Sequence, residues 1–158
     1  MKPSSQKNKK TIQAAQPNPF GDVYPVTDIE GIGPKYSKGL LAMGIKNTEQ
    51  LWRADAGKVA RGTGASLSAA KSWQNMAELA SIKDIGPQYA ELLERSGIHS
   101  IDQLKNTDSD KLLKLVRGKQ ESLKINIQGN HPGHAMVEHW IEEARDHKFS
   151  ESEEGQIA

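Results

Sequence analysis

The chain of 158 residues contains no cysteine. That excludes disulfides, thiolate metal sites and a cysteine nucleophile, and it fits a reducing cytoplasm better than secretion. Long apolar runs are missing as well. None nears the roughly 20 residues that a membrane helix requires, and the N-terminus has no apolar middle of the signal-peptide kind. We therefore expect a soluble, cytoplasmic protein with no membrane partner. Aromatic residues are scarce, at 5%, so each large ring is a candidate anchor for a small core. A strong charge of one sign is also absent. The formal net charge is +1, and bulk electrostatics do not announce a strongly basic nucleic-acid binder.

The charge that is present is unevenly spread. Residues 1–26 carry four lysines and one Asp, 27–80 seven bases and five acids, 81–126 eight and seven, and 127–158 two and seven. The balance along the chain is +3, +2, +1 and −5, a basic front masked by an acidic end. Residues 1–25 are rich in Lys, Gln, Asn, Ser and Pro and cannot bury enough surface to offset chain entropy, so they are expected to form a disordered lysine-containing arm. The arm has no arginine, which argues against a transit peptide. Residues 148–158, with Ser-Glu-Ser-Glu-Glu-Gly, are expected to be an acidic disordered tail.

Between these ends the chain repeats itself. Ile29-Glu-Gly-Ile-Gly-Pro-Lys-Tyr-Ser-Lys-Gly-Leu-Leu-Ala-Met-Gly-Ile45 recurs 53 residues on as Ile82-Lys-Asp-Ile-Gly-Pro-Gln-Tyr-Ala-Glu-Leu-Leu-Glu-Arg-Ser-Gly-Ile98. The register holds without a gap through Gly33/Gly86, Pro34/Pro87, Tyr36/Tyr89, Leu40/Leu93, Gly44/Gly97 and Leu51/Leu104. This divides the chain into a first repeat at 26–80 and a second at 81–147.

Each copy gives the same local signals in the same order. Pro34 and Pro87 stand where a helix's first turn tolerates a missing N–H. Apolar residues then recur at helical spacing until Gly44 or Gly97, which terminates the helix, with Ile45 or Ile98 folding back onto it. Asn47-Thr-Glu-Gln50 and Ser100-Ile-Asp-Gln103 each open a further helix with a capping-box pattern. Both copies end in an amphipathic helix bearing a tryptophan: Ser66 to about Ala80 with Trp73, and about Gly133 to His147 with Trp140. The two tryptophans lie 67 residues apart, so the second copy carries about 14 extra residues, expected within Gly118 to Pro132. Nothing in the pattern asks for a sheet. Trp73, Trp140, Tyr36 and Tyr89 read as core anchors in preference to base-stacking platforms.

Apolar-x-Gly-Ile-Gly-Pro-Lys-Tyr followed by a helix ending in Gly-Ile resembles the helix-hairpin-helix motif of DNA repair, recombination and replication proteins. The pattern from about Thr27 to His147 resembles an uncharacterised family, a domain of unknown function, made of tandem helix-hairpin-helix domains and described as flap-endonuclease-like by analogy. The resemblance implies an all-α fold of tandem helix-hairpin-helix repeats, of the SAM-like small helical kind. It also implies non-specific binding of duplex DNA through backbone amides at Gly31, Ile32, Gly33 and Lys35.

Elementary chemistry points the same way. A turn without side chains at Gly31 and Gly33 lets a phosphate oxygen approach the backbone, and the helix behind it offers unpaired N–H groups and a positive dipole end. Ile32 points inward, while Lys35 and Lys38 supply charge. The second copy is weaker, because Asp84 replaces Gly31 and Gln88 replaces Lys35. Lys83 partly compensates beside Gly86. The competing reading is architectural: Gly-Ile-Gly-Pro serves only to make the tight interhelical turn.

Other constellations carry less. His131, His134 and His139, with Glu138, form the densest cluster of possible metal ligands, but His131-Pro-Gly-His134 straddles a helix start and His139 stands five residues beyond His134 in place of the i,i+4 spacing of helical zinc ligands, so they read as capping or exposed groups. Gly57 to Ser66 lacks the order of a phosphate-binding nucleotide loop and reads as a helix end, a turn and a new cap, with Lys58, Arg61 and Lys71 extending a basic surface. Asp28, Glu30, Asp84 and the acids of 102–110 do not gather as magnesium-dependent nuclease chemistry requires. The expectation is thus eight to ten short helices, no enzyme, no cofactor, no metal and no small-molecule substrate. The expected partner is nucleic acid, duplex DNA favoured, with a helical protein-interaction scaffold or complex subunit as the alternative.

Overall fold

The computed structural model describes residues 20–125, 127 and 131–147. Most of the arm expected at 1–25, and the whole tail expected at 148–158, lie outside the described residues. Every regular element described is helical. A 3-10 turn at Val26–Asp28 precedes α1 (Pro34–Ala42), α2 (Thr48–Arg53), α3 (Ala56–Thr63), α4 (Leu67–Ala80), α5 (Gly86–Arg95), α6 (Ile101–Lys105), α7 (Ser109–Leu123) and α8 (His134–Asp146). Among the described residues the one strand-like feature is an isolated antiparallel bridge between Pro25 and Asn47.

Local chemistry explains where the helices begin and end. Asn47, Asp55, Ser66, Ser100 and Asp108 each accept, through the side chain, an N–H from three residues on, so α2, α3, α4, α6 and α7 are all capped by a side chain. Gln50 Oε1 returns the bond to Asn47 N, completing a capping box. Gln103 instead accepts from His99 N at 2.9 Å. The glycine stops are also present in both copies. Gly44 at φ +82° and Gly97 at +95° let Ile45 N reach Leu40 O and Ile98 N reach Leu93 O, each at 2.9 Å.

The helix order of the first copy recurs in the second. Thr48 and Ile101, and Ala56 and Ser109, open helices 53 residues apart, while Leu67 and His134 do so 67 residues apart. The extra length falls within Gly118 to Pro132, and part of it lengthens a helix. Gly118 lies inside α7, which runs to Leu123. The reason is local. Gly64, at φ +83°, stops α3, but its counterpart 53 residues on is Arg117, so the second helix continues until Lys124 adopts φ +54°.

Packing repeats as well. α2 and α3 both lie on α4, and α6 and α7 both lie on α8, while α4 and α5 form the junction between the copies. Ile29/Ile82, Leu40/Leu93, Leu51/Leu104 and Val59/Leu112 are buried at both positions of each pair, in one continuous core. Each such side chain contributes roughly 1.5–3 kcal/mol by leaving water. Tyr36 lies against Trp73 with ring centroids 5.1 Å apart, and Tyr89 against Trp140 at 5.1 Å, both tilted. These aromatics are core anchors, as their helical positions predicted.

Residues 20–25 depart from the expected arm. Phe20 is fully buried with its ring centroid 5.3 Å from that of Trp52. Asp22 N donates to Ser81 O at 2.9 Å, Thr48 N to Tyr24 O at 2.8 Å, and Val26 N to Lys46 O at 3.1 Å. His147 Nε2 lies 3.1 Å from Phe20 O. The segment therefore ties the first copy to the end of α8. Two aromatic side chains, Phe20 and Tyr24, supply burial that the polar composition of 1–25 as a whole conceals.

Candidate nucleic-acid interface

The first Gly-Pro turn is anchored from below and open above. Ile29 and Ile32 are buried, and Ile32 N donates to Ile29 O at 3.1 Å. Between them and α1 the backbone of Gly31, at φ +96°, is exposed. A β-carbon there would stand 3.1 Å from Trp73 Nε1, so both the backbone angle and the space favour glycine. Gly33 is extended and takes the N-cap place of α1 without any side-chain hydrogen bond, and Pro34 follows as the first helical residue. The amides of the first turn are thus left to solvent or a ligand, at the positive end of the helix. Lys35 and Lys38 are exposed beside them.

The second turn has the same Ile-Gly-Pro letters and a different shape. Asp84 holds φ +71°, Ile85 is right-handed helical at φ −90° and ψ −62°, and α5 starts with Gly86 at φ +67° where Gly33 was extended. A β-carbon on Gly86 would be 3.5 Å from the Tyr24 hydroxyl, which stands over it. Asp84 Oδ2 is 2.9 Å from His139 Nε2 on α8. Lys83 is exposed. The sequence-derived residues therefore separate into an open group, Gly31, Gly33, Lys35 and Lys38 with Ile32 as its buried anchor, and a partly roofed group, Lys83 and Gly86.

Negative charge gathers around the second group. Burial pushes the Tyr24 phenol up from its ordinary value, and the charges of Asp22, Asp28 and Asp84 push it further in the same direction. Burial likewise raises the Glu91 carboxyl, the charge of Glu30 adds to this, and Arg95, 3.1 Å away, opposes it. Acids from four separate stretches of chain thus influence one flank of the molecule. In the sequence alone Asp28, Glu30 and Asp84 show no such gathering, and Tyr24 gives no signal.

The histidines each find a separate polar partner. Besides the pair with Asp84, His134 is 3.0 Å from Asp110, His99 is 2.8 Å from Glu94, and His131 faces Gln120. Among the described residues no three His, Cys, Asp or Glu side chains gather as a metal site. Gly64 follows α3 and Ser66 caps α4, so the stretch from Gly57 to Ser66 is a helix end and a new cap. Lys58 and Arg61 are exposed on α3, and Lys71 lines an open groove with Ser72, Asn75, Glu94 and His99.

Among the described helices none is long and apolar enough to cross a membrane. Comparison with curated proteins and with solved structures returned no match. A family model does match, over residues 30–147, which includes both Gly-Pro turns and reaches the end of α8. The chain belongs to that family, described as Domain of unknown function (DUF4332).

Proposed function

We propose that this protein is a non-enzymatic, sequence-independent nucleic-acid binder of the cytoplasm that holds a backbone phosphate, of duplex DNA by preference, at its first Gly-Pro turn. The observation that carries the reading is the uncapped start of α1 behind the exposed Gly31 and Gly33, with Lys35 and Lys38 alongside. Five other helices of the chain satisfy their first amides with a side chain. Here a phosphate oxygen would take that role, favoured by the helix dipole. The resemblance to tandem helix-hairpin-helix domains supports the same assignment. The acidic flank formed with Glu30 and Glu91 directs an approaching phosphate to the lysine side of the turn.

Contacts of this sort fix position without reading bases. With about two to four phosphates engaged, log affinity should fall against log salt with a slope of about −0.9 per phosphate. Fluorescence anisotropy with a labelled duplex at about 50 mM salt tests the reading. Lys35→Ala with Lys38→Ala should weaken binding while helicity stays unchanged. No binding to duplex, flap or single-stranded DNA or to RNA under those conditions overturns it.

A second reading, a helical scaffold that docks onto a protein, is favoured by one observation. The second turn is roofed by Tyr24 and surrounded by Asp22, Asp28 and Asp84, a chemistry suited to a basic protein surface and unsuited to phosphate. In that case Asp84→Asn would weaken co-purification of a partner and leave DNA binding unchanged.

A further inference from the structure

Trp73 carries a buried ring and a polar edge that the core does not use. The residue is 3% exposed and its ring rests against Tyr36. Its Nε1 and Cδ1 are the two atoms nearest to where a Gly31 side chain would begin, at 3.1 and 3.8 Å. No acceptor for this N–H occurs among the described residues. Indole N–H is a donor only, and a buried tryptophan ordinarily finds it a partner.

The second copy provides the contrast. Trp140 occupies the matching place and is fully buried, with Nε1 sealed from solvent and without a partner among the described residues. There the position of Gly31 is taken by Asp84. In the first copy a glycine stands in front of the indole edge, and the surface is open at that glycine.

We propose that the Trp73 indole N–H is a ligand-contacting donor of the first Gly-Pro turn, giving a hydrogen bond to the same phosphate oxygen that the α1 amides receive. This rests on the phosphate-binding reading above and deepens it. The absent side chain at Gly31 then has a chemical purpose, because any β-carbon would cover the donor. A hydrogen bond from a neutral N–H to an anionic oxygen is of the stronger, charge-assisted kind. Indole N–H is a donor only, so its partner must be an acceptor, a role that a phosphodiester oxygen fills and the amino group of a base does not.

The test uses the full chain labelled with nitrogen-15, which has three tryptophan side chains and hence three indole resonances. The Trp73 resonance is identified by its cross-relaxation to the Gly31 α-protons, and its loss in Trp73→Phe checks the assignment. Titration with a short unlabelled duplex at low salt should shift this resonance, and shift those of Trp52, bonded to Glu78, and Trp140 far less. Trp73→Phe, which keeps an aromatic ring in the core, should bind the duplex on the order of tenfold more weakly at unchanged helicity. A wild-type chain that binds the duplex while the Trp73 resonance stays still overturns the inference alone. So does a folded Trp73→Phe that binds as tightly as wild type. If the variant does not fold, the wild-type titration decides by itself. A wild-type chain that binds no nucleic acid overturns the phosphate reading and this inference together.

Discussion

Gly31 and Asp84, 53 residues apart, hold the same left-handed backbone, with φ of +96° and +71°. Glycine adopts this conformation freely, and aspartate is among the few other residues that visit it at modest cost. Exchanging the two residues separates fold from function. Gly31→Asp should cost about 1–2 kcal/mol, from the backbone angle and from the pressure of its β-carbon on Trp73, and it should abolish phosphate binding. Asp84→Gly gives up a bond to His139 whose two ends are 57% and 43% exposed, so stability should change by less than about 1 kcal/mol. Urea denaturation and anisotropy measure both, and equal costs at the two positions would show that the turns are held alike.

Glu78 joins the two copies through one carboxylate. Its Oε1 accepts from Trp52 Nε1 at 3.0 Å and its Oε2 from Ile101 N, the first residue of α6, at 2.7 Å. Glu78→Ala removes the partners of both donors, and hydrogen bonds to a charged group contribute about 1.5–3 kcal/mol each. The chain should lose about 2–4 kcal/mol, read as a lower midpoint of chemical denaturation. Glu78→Gln keeps the shape and one acceptor and should fall between.

α1 and α3 approach closely through glycine. A β-carbon on Gly39 would meet Gly62 O at 2.9 Å and Thr63 Cα at 3.1 Å, both backbone atoms that cannot swing away. Gly39→Ala should therefore destabilise by about 1–3 kcal/mol. A β-carbon on Gly62 meets the end of the Met43 side chain instead, which can rotate. Gly62→Ala should cost clearly less, and the reverse order in thermal melts would refute the packing argument.

Stability should fall on mild acidification, in part through His147. Burial pushes its pKa below the ordinary value, against the opposing pull of the Phe20 carbonyl and Asp22. The folded chain thus resists the proton that the unfolded chain accepts near pH of about 6.5. Stability is full above that pH and declines as pH drops below it, until the folded form also takes the proton. Comparing wild type with His147→Gln between about pH 7.5 and 5 isolates the contribution. The variant should show the shallower decline.

Much of the fold was legible because its determinants are local. Pro34, Pro87, Gly44, Gly97, Ser66 and the capping pairs at Asn47 and Ser100 act within four or five residues of themselves, so spacing alone located the helix ends. The burial of Trp73 and Trp140 followed from their helical positions and apolar neighbours, and that of Ile32 from its place in the tight turn. The boundary at residue 25 was misread because composition averages over a window, and two aromatics within a polar stretch were outweighed there. The division of the extra residues of 118–132 between a longer α7 and the loop behind it was not legible, because a glycine such as Gly118 stops a helix only where the chain can turn into the left-handed conformation.

The candidate site divides along the same line. The sequence by itself determined that two Gly-Pro turns exist, that helices follow them, and that the first keeps glycine and lysine where the second has Asp84 and Gln88. Only the tertiary structure decided that Tyr24 stands over Gly86, that His139 pairs with Asp84 across 55 residues, and that Trp73 turns its N–H toward Gly31. Such contacts join residues far apart in the chain, and no local spacing encodes them. They arise when the helices close on one core and fix which edges of each side chain remain outside.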